Sequence, residues 1–148
     1  MIVTLTPNPS LDQTLEVDAL RRGEINRAQA FRLDPGGKGV NVSRALVANG
    51  HTSRAVLPLG GTEGERLASL LRDMGIEVVP VSIDDAIRTN LTVVEPDGTV
   101  TKINAPGPTL SASEADGLLE RTIAAVDGGR WVVASGSLSP GMADDFYA

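Results

Sequence analysis

Short apolar runs alternate with helical patterns along much of this chain. Largely apolar runs, typical of strands buried in a parallel sheet, occur at residues 2–5, 53–59, 76–83 and 131–134. Between two of these runs, apolar side chains recur at the spacing of one helix face, at Leu67, Leu70, Leu71 and Met74. We expect this helix, over residues 65–74, to end at Gly75. The alternation of strands and helices predicts an α/β fold.

Three further segments show helical patterns. Residues 42–47 predict a short helix, which Asn49-Gly50 would close. Ser111 and Glu114 have the spacing of a capping box, so another helix should begin there and end at Gly128-Gly129. Residues 142–148 resemble the first turns of a last helix.

Two segments break the alternation, at residues 13–33 and 87–104. In the second of them, β-like runs at 89–94 and 99–103 flank a strong turn signal, Glu95-Pro96-Asp97-Gly98. This pattern predicts an antiparallel hairpin. Because both segments are extended and neither fits the βα alternation, we expect them to pair with each other as a small second sheet.

The composition excludes several classes of function. The 148 residues are enough for one domain with a buried core. A net charge of −6 and 3% aromatic residues argue against a nucleic-acid partner. The chain has no cysteine, which excludes thiolate chemistry and favours a cytoplasmic location. No apolar run is long enough to predict a membrane span, and no cluster of residues has metal-ligand spacing.

A glycine-rich segment, residues 36–41, directly precedes the helix predicted at 42–47. Glycines let the backbone approach a ligand closely, and the start of a helix offers free N–H groups to an anion. Lys38 adds a cation, and Asn41 can both donate and accept hydrogen bonds. A P-loop would need Ser or Thr at Gly39, and a dinucleotide fingerprint would need Gly or Ala at Val42. The segment therefore indicates a polar, anionic small molecule, with a plain turn into a helix as the alternative.

Four segments together resemble the PfkB (ribokinase-like) carbohydrate kinases, most closely the branch of 1-phosphofructokinase and tagatose-6-phosphate kinase. They are Thr6-Pro7-Asn8-Pro9-Ser10-Leu11-Asp12, Gly36-Gly37-Lys38-Gly39-Val40-Asn41, Arg88-Thr89-Asn90-Leu91 and Ser135-Gly136-Ser137-Leu138-Ser139-Pro140-Gly141. The resemblance implies a doubly wound α/β fold with a small β lid, whose strands would be the segments near 13–33 and 87–104. Residues 1–148 would be the N-terminal, substrate-binding part of one such domain. The apolar strand at 131–134, which needs neighbours on both sides, likewise suggests the first half of a longer protein.

The resemblance also implies roles for single residues. Asp12 would bind sugar hydroxyls, and Gly37, Lys38 and Asn41 would form the sugar-binding loop. Arg88 would bind the substrate phosphate, and the loop of Ser137 would approach it. Without the resemblance, these residues have plainer interpretations: a turn aspartate at 12, a solvated strand-edge charge at 88 and an ordinary loop serine at 137.

The implied activity is ATP-dependent phosphorylation of a sugar phosphate, with fructose 1-phosphate favoured as the substrate and fructose 1,6-bisphosphate as the product. ATP and Mg²⁺ are implied by the family, as is a homodimer formed through the lid. The family's catalytic aspartate belongs to a Gly-Ala-Gly-Asp motif that these residues do not contain, so the chain alone is expected to be inactive. The alternatives are a non-catalytic phosphosugar-binding module, a kinase for fructose 6-phosphate or tagatose 6-phosphate, and an unrelated α/β domain with a coincidental glycine loop.

Overall fold

The computed structural model describes residues 1–126 and 131–148. In this part of the chain, strands and helices follow in the order β1 (Ile2–Leu5), β2 (Ser10–Glu16), β3 (Ala30–Gly36), α1 (Lys38–Ala48), β4 (Ser53–Leu59), α2 (Gly61–Asp73), β5 (Glu77–Ser82), β6 (Arg88–Val94), β7 (Val100–Ile103), α3 (Ala112–Ala125) and β8 (Trp131–Ala134). Among the described helices, none is both long and apolar enough to cross a lipid bilayer.

The main sheet contains the four apolar strands predicted from the sequence. Its strand order is β5-β4-β1-β8, and every neighbouring pair is parallel. The chain moves outward from β1 to β4 and β5, and then returns to the other side of β1 with β8. Since crossovers between parallel strands are right-handed, this reversal puts α3 on the face opposite α1 and α2. The predicted α/β architecture with a doubly wound sheet is confirmed.

The two faces of the main sheet can be identified from side-chain contacts. Thr4 Oγ1 lies 2.7 Å from Ser43 Oγ of α1. Arg54 directly precedes Ala55, the residue that pairs with Thr4, so its side chain points to the other face of the sheet. There Arg54 Nη1 donates to the carbonyl of Ala125 in α3 at 2.8 Å. Both faces are therefore covered, and the core lies between sheet and helices, with fully buried Val3, Val56, Leu57, Leu67, Leu71 and Leu118.

The second sheet has the order β3-β2-β6-β7. The hairpin predicted around Asp97-Gly98 is confirmed, because β6 and β7 pair antiparallel and Gly98 N donates to Glu95 O at 3.0 Å. The predicted pairing of the two extended segments is also confirmed: β2 and β3 are antiparallel, and β2 and β6 join the two hairpins as a parallel pair. A short segment, Thr6 to Pro9, leads directly from β1 of the main sheet into β2, and all of its residues are buried.

Four predicted boundaries differ from the structure. α2 begins at Gly61 and not at residue 65, because its first turn, residues 61–64, carries no large apolar side chain that the helical pattern could reveal. β2 begins at Ser10, three residues before the extended segment predicted at 13–33, because two neighbouring strands supply hydrogen bonds along its whole length. α1 begins at Lys38 and not at Val42, so the glycine-rich segment is the end of β3 and the start of the helix. Residues 142–148 form isolated turns closed by bonds to the third residue back, not a helix. The predicted helix end at Gly128-Gly129 lies outside the described residues.

Candidate functional site

The candidate residues lie on elements that meet at one edge of the main sheet. The strand order reverses between β1 and β8, and in open α/β sheets ligands bind outside the carboxyl ends of the strands at such a point. Asn8 follows β1, Ser137 follows β8, and α1 begins beside both. The second sheet leaves the main sheet at the same place, because only four residues separate β1 from β2. The topology thus joins the second sheet to the edge of the main sheet at which a ligand is expected.

Asp12 lies inside β2 and is held by two neighbouring side chains. Ser10 Oγ donates to Asp12 Oδ1 at 2.7 Å, and Asn90 Nδ2 donates to the same oxygen at 2.9 Å. The other carboxylate oxygen, Oδ2, lies directly against Gly36, where any side chain would collide with it. The interpretation as a turn aspartate is wrong, since Asp12 is part of a strand with partners on both sides. The carboxylate is fixed in orientation while half-exposed, which suits an acceptor of hydroxyl groups.

Arg88 is the first residue of β6 and lies two positions before Asn90. Its Nη1 donates to the carbonyl of Ala105 at 3.0 Å, and its Nη2 donates to the carbonyl of Asn8 at 3.0 Å. Burial lowers the pKa of Arg88, and the nearby charge of Asp12 acts in the opposite direction. The interpretation as a solvated strand-edge charge is therefore wrong. A guanidinium has five N–H groups, so it retains donors for a ligand after these two bonds.

Gly37 and Lys38 form the start of α1. Gly37 is the residue before the helix and has a φ of 117°, a conformation that favours glycine. A side chain at Gly37 would also collide with the methyl group of Thr6, which lies 2.7 Å from the position of its first atom. Lys38 is exposed, and its backbone packs beside Gly136 in the loop after β8. The start of the helix therefore lies against the ends of both β1 and β8.

Asn41 lies in the first turn of α1, where its backbone N donates to Gly37 O at 2.8 Å. Its side chain is exposed, and its Oδ1 accepts a long 3.4 Å bond from Arg44 Nη1, which also donates to Pro35 O at 3.1 Å. Within the described ranges, no hydrogen bond links Asn41 to the other candidate side chains. Its convergence with them stays a prediction.

Ser137 is connected to the site through a residue that the sequence interpretation did not single out. Asn8, only 3% exposed, donates from Nδ2 to Pro106 O at 2.8 Å and to Leu138 O at 3.3 Å, and lies 3.4 Å from Ser137 Oγ. Asn90 was also missed as a site residue, although it belongs to a quoted motif. Its Oδ1 accepts from Ala105 N at 3.2 Å while its Nδ2 binds Asp12.

The fit of the described residues to a metal ion can be judged from their donor groups. Among residues 1–126 and 131–148, no three or more histidine, cysteine or carboxylate side chains gather in a geometry that could hold a metal ion. No step of a reaction is assigned to Mg²⁺ on these residues.

Comparison with known proteins gives matches over almost the whole chain. The family model described as "pfkB family carbohydrate kinase" matches residues 6–148. The ATP-dependent 6-phosphofructokinase isozyme 2 of Mycobacterium tuberculosis is 41% identical over 147 residues, which are 99% of this chain and 43% of that protein. The 1-phosphofructokinase of Bacillus subtilis is 34% identical over 147 residues, 99% of this chain and 48% of that protein.

A solved structure extends this similarity to three dimensions. Phosphofructokinase-2 from Escherichia coli, in complex with fructose-6-phosphate, superposes with a TM-score of 0.92 at 35% identity. The superposition covers 99% of this chain and 48% of the Escherichia coli chain. The chain thus spans about half the length of the relatives that it matches.

Proposed function

Because the chain belongs to the pfkB family of carbohydrate kinases, we propose that it forms the sugar-phosphate side of a kinase that uses ATP to phosphorylate a fructose phosphate. One observation carries this proposal. Ser10 and Asp12 of β2 lie opposite Arg88 and Asn90 of β6 in the parallel register. An oriented carboxylate and a guanidinium thus lie on neighbouring strands, where the carboxylate can accept hydroxyl groups and the guanidinium can bind the phosphate of one phosphorylated polyol.

Each candidate residue has a role in this proposal. The Asp12 carboxylate accepts hydrogen bonds from sugar hydroxyls, and Arg88 binds the phosphate already present on the substrate. Gly37 admits the sugar close to the backbone, while Lys38 and Asn41 contact it from the first turn of α1. Ser137 donates from the loop after β8. In support, the half-buried position of Arg88 strengthens its attraction for a phosphate compared with a fully solvated arginine.

The favoured substrate is fructose 1-phosphate, phosphorylated on its 6-hydroxyl to fructose 1,6-bisphosphate. The names of the relatives support a fructose phosphate in general, since they include both 1-phosphofructokinase and 6-phosphofructokinase. Fructose 6-phosphate and tagatose 6-phosphate are the competing substrates. They differ from fructose 1-phosphate in where the phosphate stands relative to the hydroxyl that reacts, so Arg88 and Asp12 would hold them in different orientations.

ATP, with its Mg²⁺, is the proposed co-substrate. Phosphoryl transfer depends on positioning and charge stabilisation, and the family places its catalytic aspartate in a Gly-Ala-Gly-Asp motif. Residues 1–148 contain no such motif. We therefore expect this chain to bind the sugar phosphate without phosphorylating it at a kinase-like rate. A non-catalytic phosphosugar-binding module is the alternative function for the same site.

The proposal can be tested by calorimetric titration of the chain with fructose 1-phosphate, fructose 6-phosphate, tagatose 6-phosphate and unphosphorylated fructose, together with an ATP-coupled assay. We expect saturable binding of at least one sugar phosphate, weaker binding of fructose and negligible turnover. Failure to bind any of the sugar phosphates would contradict the proposed site. Turnover close to that of a relative of full length would contradict the assignment of catalysis to the Gly-Ala-Gly-Asp motif.

The proposed partner is a second copy of the chain, bound through the second sheet. Phe31 of β3 and Ile103 of β7 are 62% and 60% exposed, and their register places them on the same face of that sheet, opposite to the face of Asp12 and Asn90. An exposed apolar face of this kind favours association. The proposed location is the cytoplasm, without a nucleic-acid or membrane partner.

A further inference from the structure

We propose that Asn8 is a positioning residue for Arg88, and that its side-chain amide determines where the guanidinium lies when it binds a phosphate. This inference rests on the proposed function, because it concerns the arginine assigned to the substrate phosphate. Asn8 does not face the proposed ligand itself. It is 3% exposed and lies in the buried connection between the two sheets.

The first step of the argument is the set of groups that Asn8 binds. Its Nδ2 donates to Pro106 O at 2.8 Å and to Leu138 O at 3.3 Å, with Ser137 Oγ further away at 3.4 Å. An amide nitrogen has two N–H groups, so these two carbonyls can take up its full donor capacity. One side chain therefore joins the end of β1 to the loop after β7 and to the loop after β8.

The second step is the link from these loops to Arg88. The guanidinium donates from Nη2 to the backbone carbonyl of Asn8, and from Nη1 to the carbonyl of Ala105, each at 3.0 Å. Ala105 directly precedes Pro106, whose carbonyl the Asn8 amide holds. Asn8 thus fixes both acceptors of Arg88, one through its own backbone and the other through the neighbouring peptide.

The third step is that the backbone on either side of Asn8 and the loop that approaches it have little conformational freedom. Pro7 and Pro9 flank Asn8, and both are fully buried, so the backbone has a fixed φ on each side and lacks two N–H donors. Gly107 has a φ of 99° and lies so close that any side chain there would collide with Asn8 Oδ1. The loop therefore approaches Asn8 only because residue 107 is a glycine, and the amide contact determines where Ala105 lies.

Asparagine is specifically required by this arrangement. Alanine would leave the carbonyls of Pro106 and Leu138 without their donor. Aspartate, nearly identical in shape, would place a carboxylate oxygen against two carbonyl oxygens and would repel them. Either substitution would also affect Asn90, which accepts from Ala105 N and donates to Asp12. Movement of Ala105 would therefore disturb the phosphate-binding and hydroxyl-binding side chains together.

The experiment compares Asn8→Asp, Asn8→Ala and Asn8→Ser with the exposed control Asn104→Ala in the 148-residue chain. The first readout is the Arg88 Nε–H resonance in ¹⁵N-labelled protein, because that group is buried and reports the position of the guanidinium without any ligand. The second readout is affinity for fructose 1-phosphate, fructose 6-phosphate and inorganic phosphate. Circular dichroism checks that each variant is folded.

We expect Asn8→Asp and Asn8→Ala to shift the Arg88 resonance, to accelerate its hydrogen exchange and to weaken sugar-phosphate binding about tenfold, as loss of buried hydrogen bonds predicts. Asn8→Ser, which keeps one donor, should be intermediate, and Asn104→Ala should resemble the parent. Gly107→Ala should disturb the resonance more in the parent than in the Asn8→Ala background, where Oδ1 is absent.

Two results would overturn the proposal. An unchanged Arg88 resonance in the folded Asn8→Asp and Asn8→Ala variants would show that the amide does not position the guanidinium. Unfolding of all three Asn8 variants would show a purely structural role. If the Arg88 resonance responds as expected while the parent binds no sugar phosphate or inorganic phosphate, the positioning is supported and the proposed function alone fails.

Discussion

The Asn90 amide donates a 2.9 Å hydrogen bond to the Asp12 carboxylate across the parallel pairing of β2 and β6. Asn90 also accepts from the backbone N of Ala105, whose carbonyl binds Arg88. The two charged side chains that we assign to the sugar and to its phosphate are therefore connected through one amide. A substitution of Asp12 should therefore also alter the position of Arg88, and a substitution of Arg88 should alter the orientation of the Asp12 carboxylate.

Asp12→Asn should abolish most of the affinity for sugar phosphates. The variant keeps the shape of the side chain but loses the charge and one acceptor oxygen, and a hydrogen bond to a charged group contributes about 1.5–3 kcal/mol. This corresponds to a loss of roughly 10- to 150-fold in binding constant. Titration calorimetry measures it, with the exposed Asp18→Asn as the control. Equal affinities for the two variants would remove Asp12 from the site.

Arg88→Ala should weaken binding of fructose 1-phosphate much more than binding of fructose. A charge-assisted phosphate contact is worth about 1.5–3 kcal/mol, and the unphosphorylated sugar never makes it. Competition titrations with the two sugars measure the difference, and the exposed Arg22→Ala serves as the matched control. If both sugars lose affinity equally, Arg88 has a structural role only.

Gly36→Ala should impair binding although alanine is the smallest possible addition. The new methyl group would collide with Asp12 Oδ2 and with Ser10 Oγ, so the carboxylate has to turn away from its present orientation. We expect a loss of about 1–3 kcal/mol in stability from overpacking, together with weaker sugar-phosphate binding. Gly117→Ala in α3, where a methyl group would meet Val81 Cγ1 at 3.5 Å, should instead stabilise the chain by about 0.5–1 kcal/mol. Urea unfolding compares the two variants.

The capping box of α3 should make its contribution to stability sensitive to acid. Hydrogen bonds from Ser111 and from the backbone of Asp84 lower the pKa of Glu114 in the folded chain. A lowered folded pKa means that this stabilisation is present above the unfolded pKa and is lost as the pH falls through the folded pKa. Glu114→Gln should therefore show less acid destabilisation than the parent in urea unfolding at neutral and acid pH. Equal pH dependence would rule out this contribution.

Ser111→Ala tests the other half of the same cap. The Ser111 hydroxyl accepts from Glu114 N at 3.3 Å, and removing such a cap costs about 1 kcal/mol. The exposed Ser113→Ala, two positions further along the chain, is the control, although its hydroxyl lies 3.2 Å from Ser111 Oγ. Urea unfolding at neutral pH should show a clearly larger loss for Ser111→Ala, and a reversed order would contradict the assignment of the cap.

Two exposed apolar surfaces should associate independently. Trp131 lies on β8, which pairs only with β1 among the described strands, and is 70% exposed. Phe31 lies on the second sheet, away from β8. We expect Phe31→Lys to abolish a defined dimer in analytical ultracentrifugation, and Trp131→Lys to reduce concentration-dependent aggregation at the sheet edge without affecting that dimer. A dimer that survives Phe31→Lys and dissociates with Trp131→Lys would contradict the proposed interface.

The elements that the sequence predicted well are those with local signals. The apolar strands of the main sheet and the turn at Asp97-Gly98 need no knowledge of distant residues, and both were confirmed. The start of α1 was missed because Gly37, Lys38 and Gly39 form a poor helix start by propensity. Tertiary packing overrides that propensity, since Gly39 is buried against Leu5 and Thr6.

The candidate site was only partly predictable for a similar reason. Asp12 and Arg88 could be named because their motifs resemble a family, and the side-chain type suggests the chemistry. The contributions of Asn8 and Asn90 depend on two carbonyl groups and a carboxylate about 80 to 130 positions away, at Leu138, Pro106 and Asp12. No spacing in the sequence indicates which backbone groups will become their partners.

The central parallel pair of the second sheet also has a consequence for the order of folding. Asp12 and Asn90 are 78 positions apart, so β2 can pair with β6 only after β4, α2 and β5 have been synthesised. Contacts between distant residues form slowly, because the intervening chain must first be closed into a loop. Until β6 is available, the edge of β2 in the hairpin of β2 and β3 therefore has no partner strand and can mispair. We therefore expect the proposed ligand site to be a late product of folding: a nascent chain that ends after α1 includes Asp12 but not yet the Asn90 amide that orients its carboxylate.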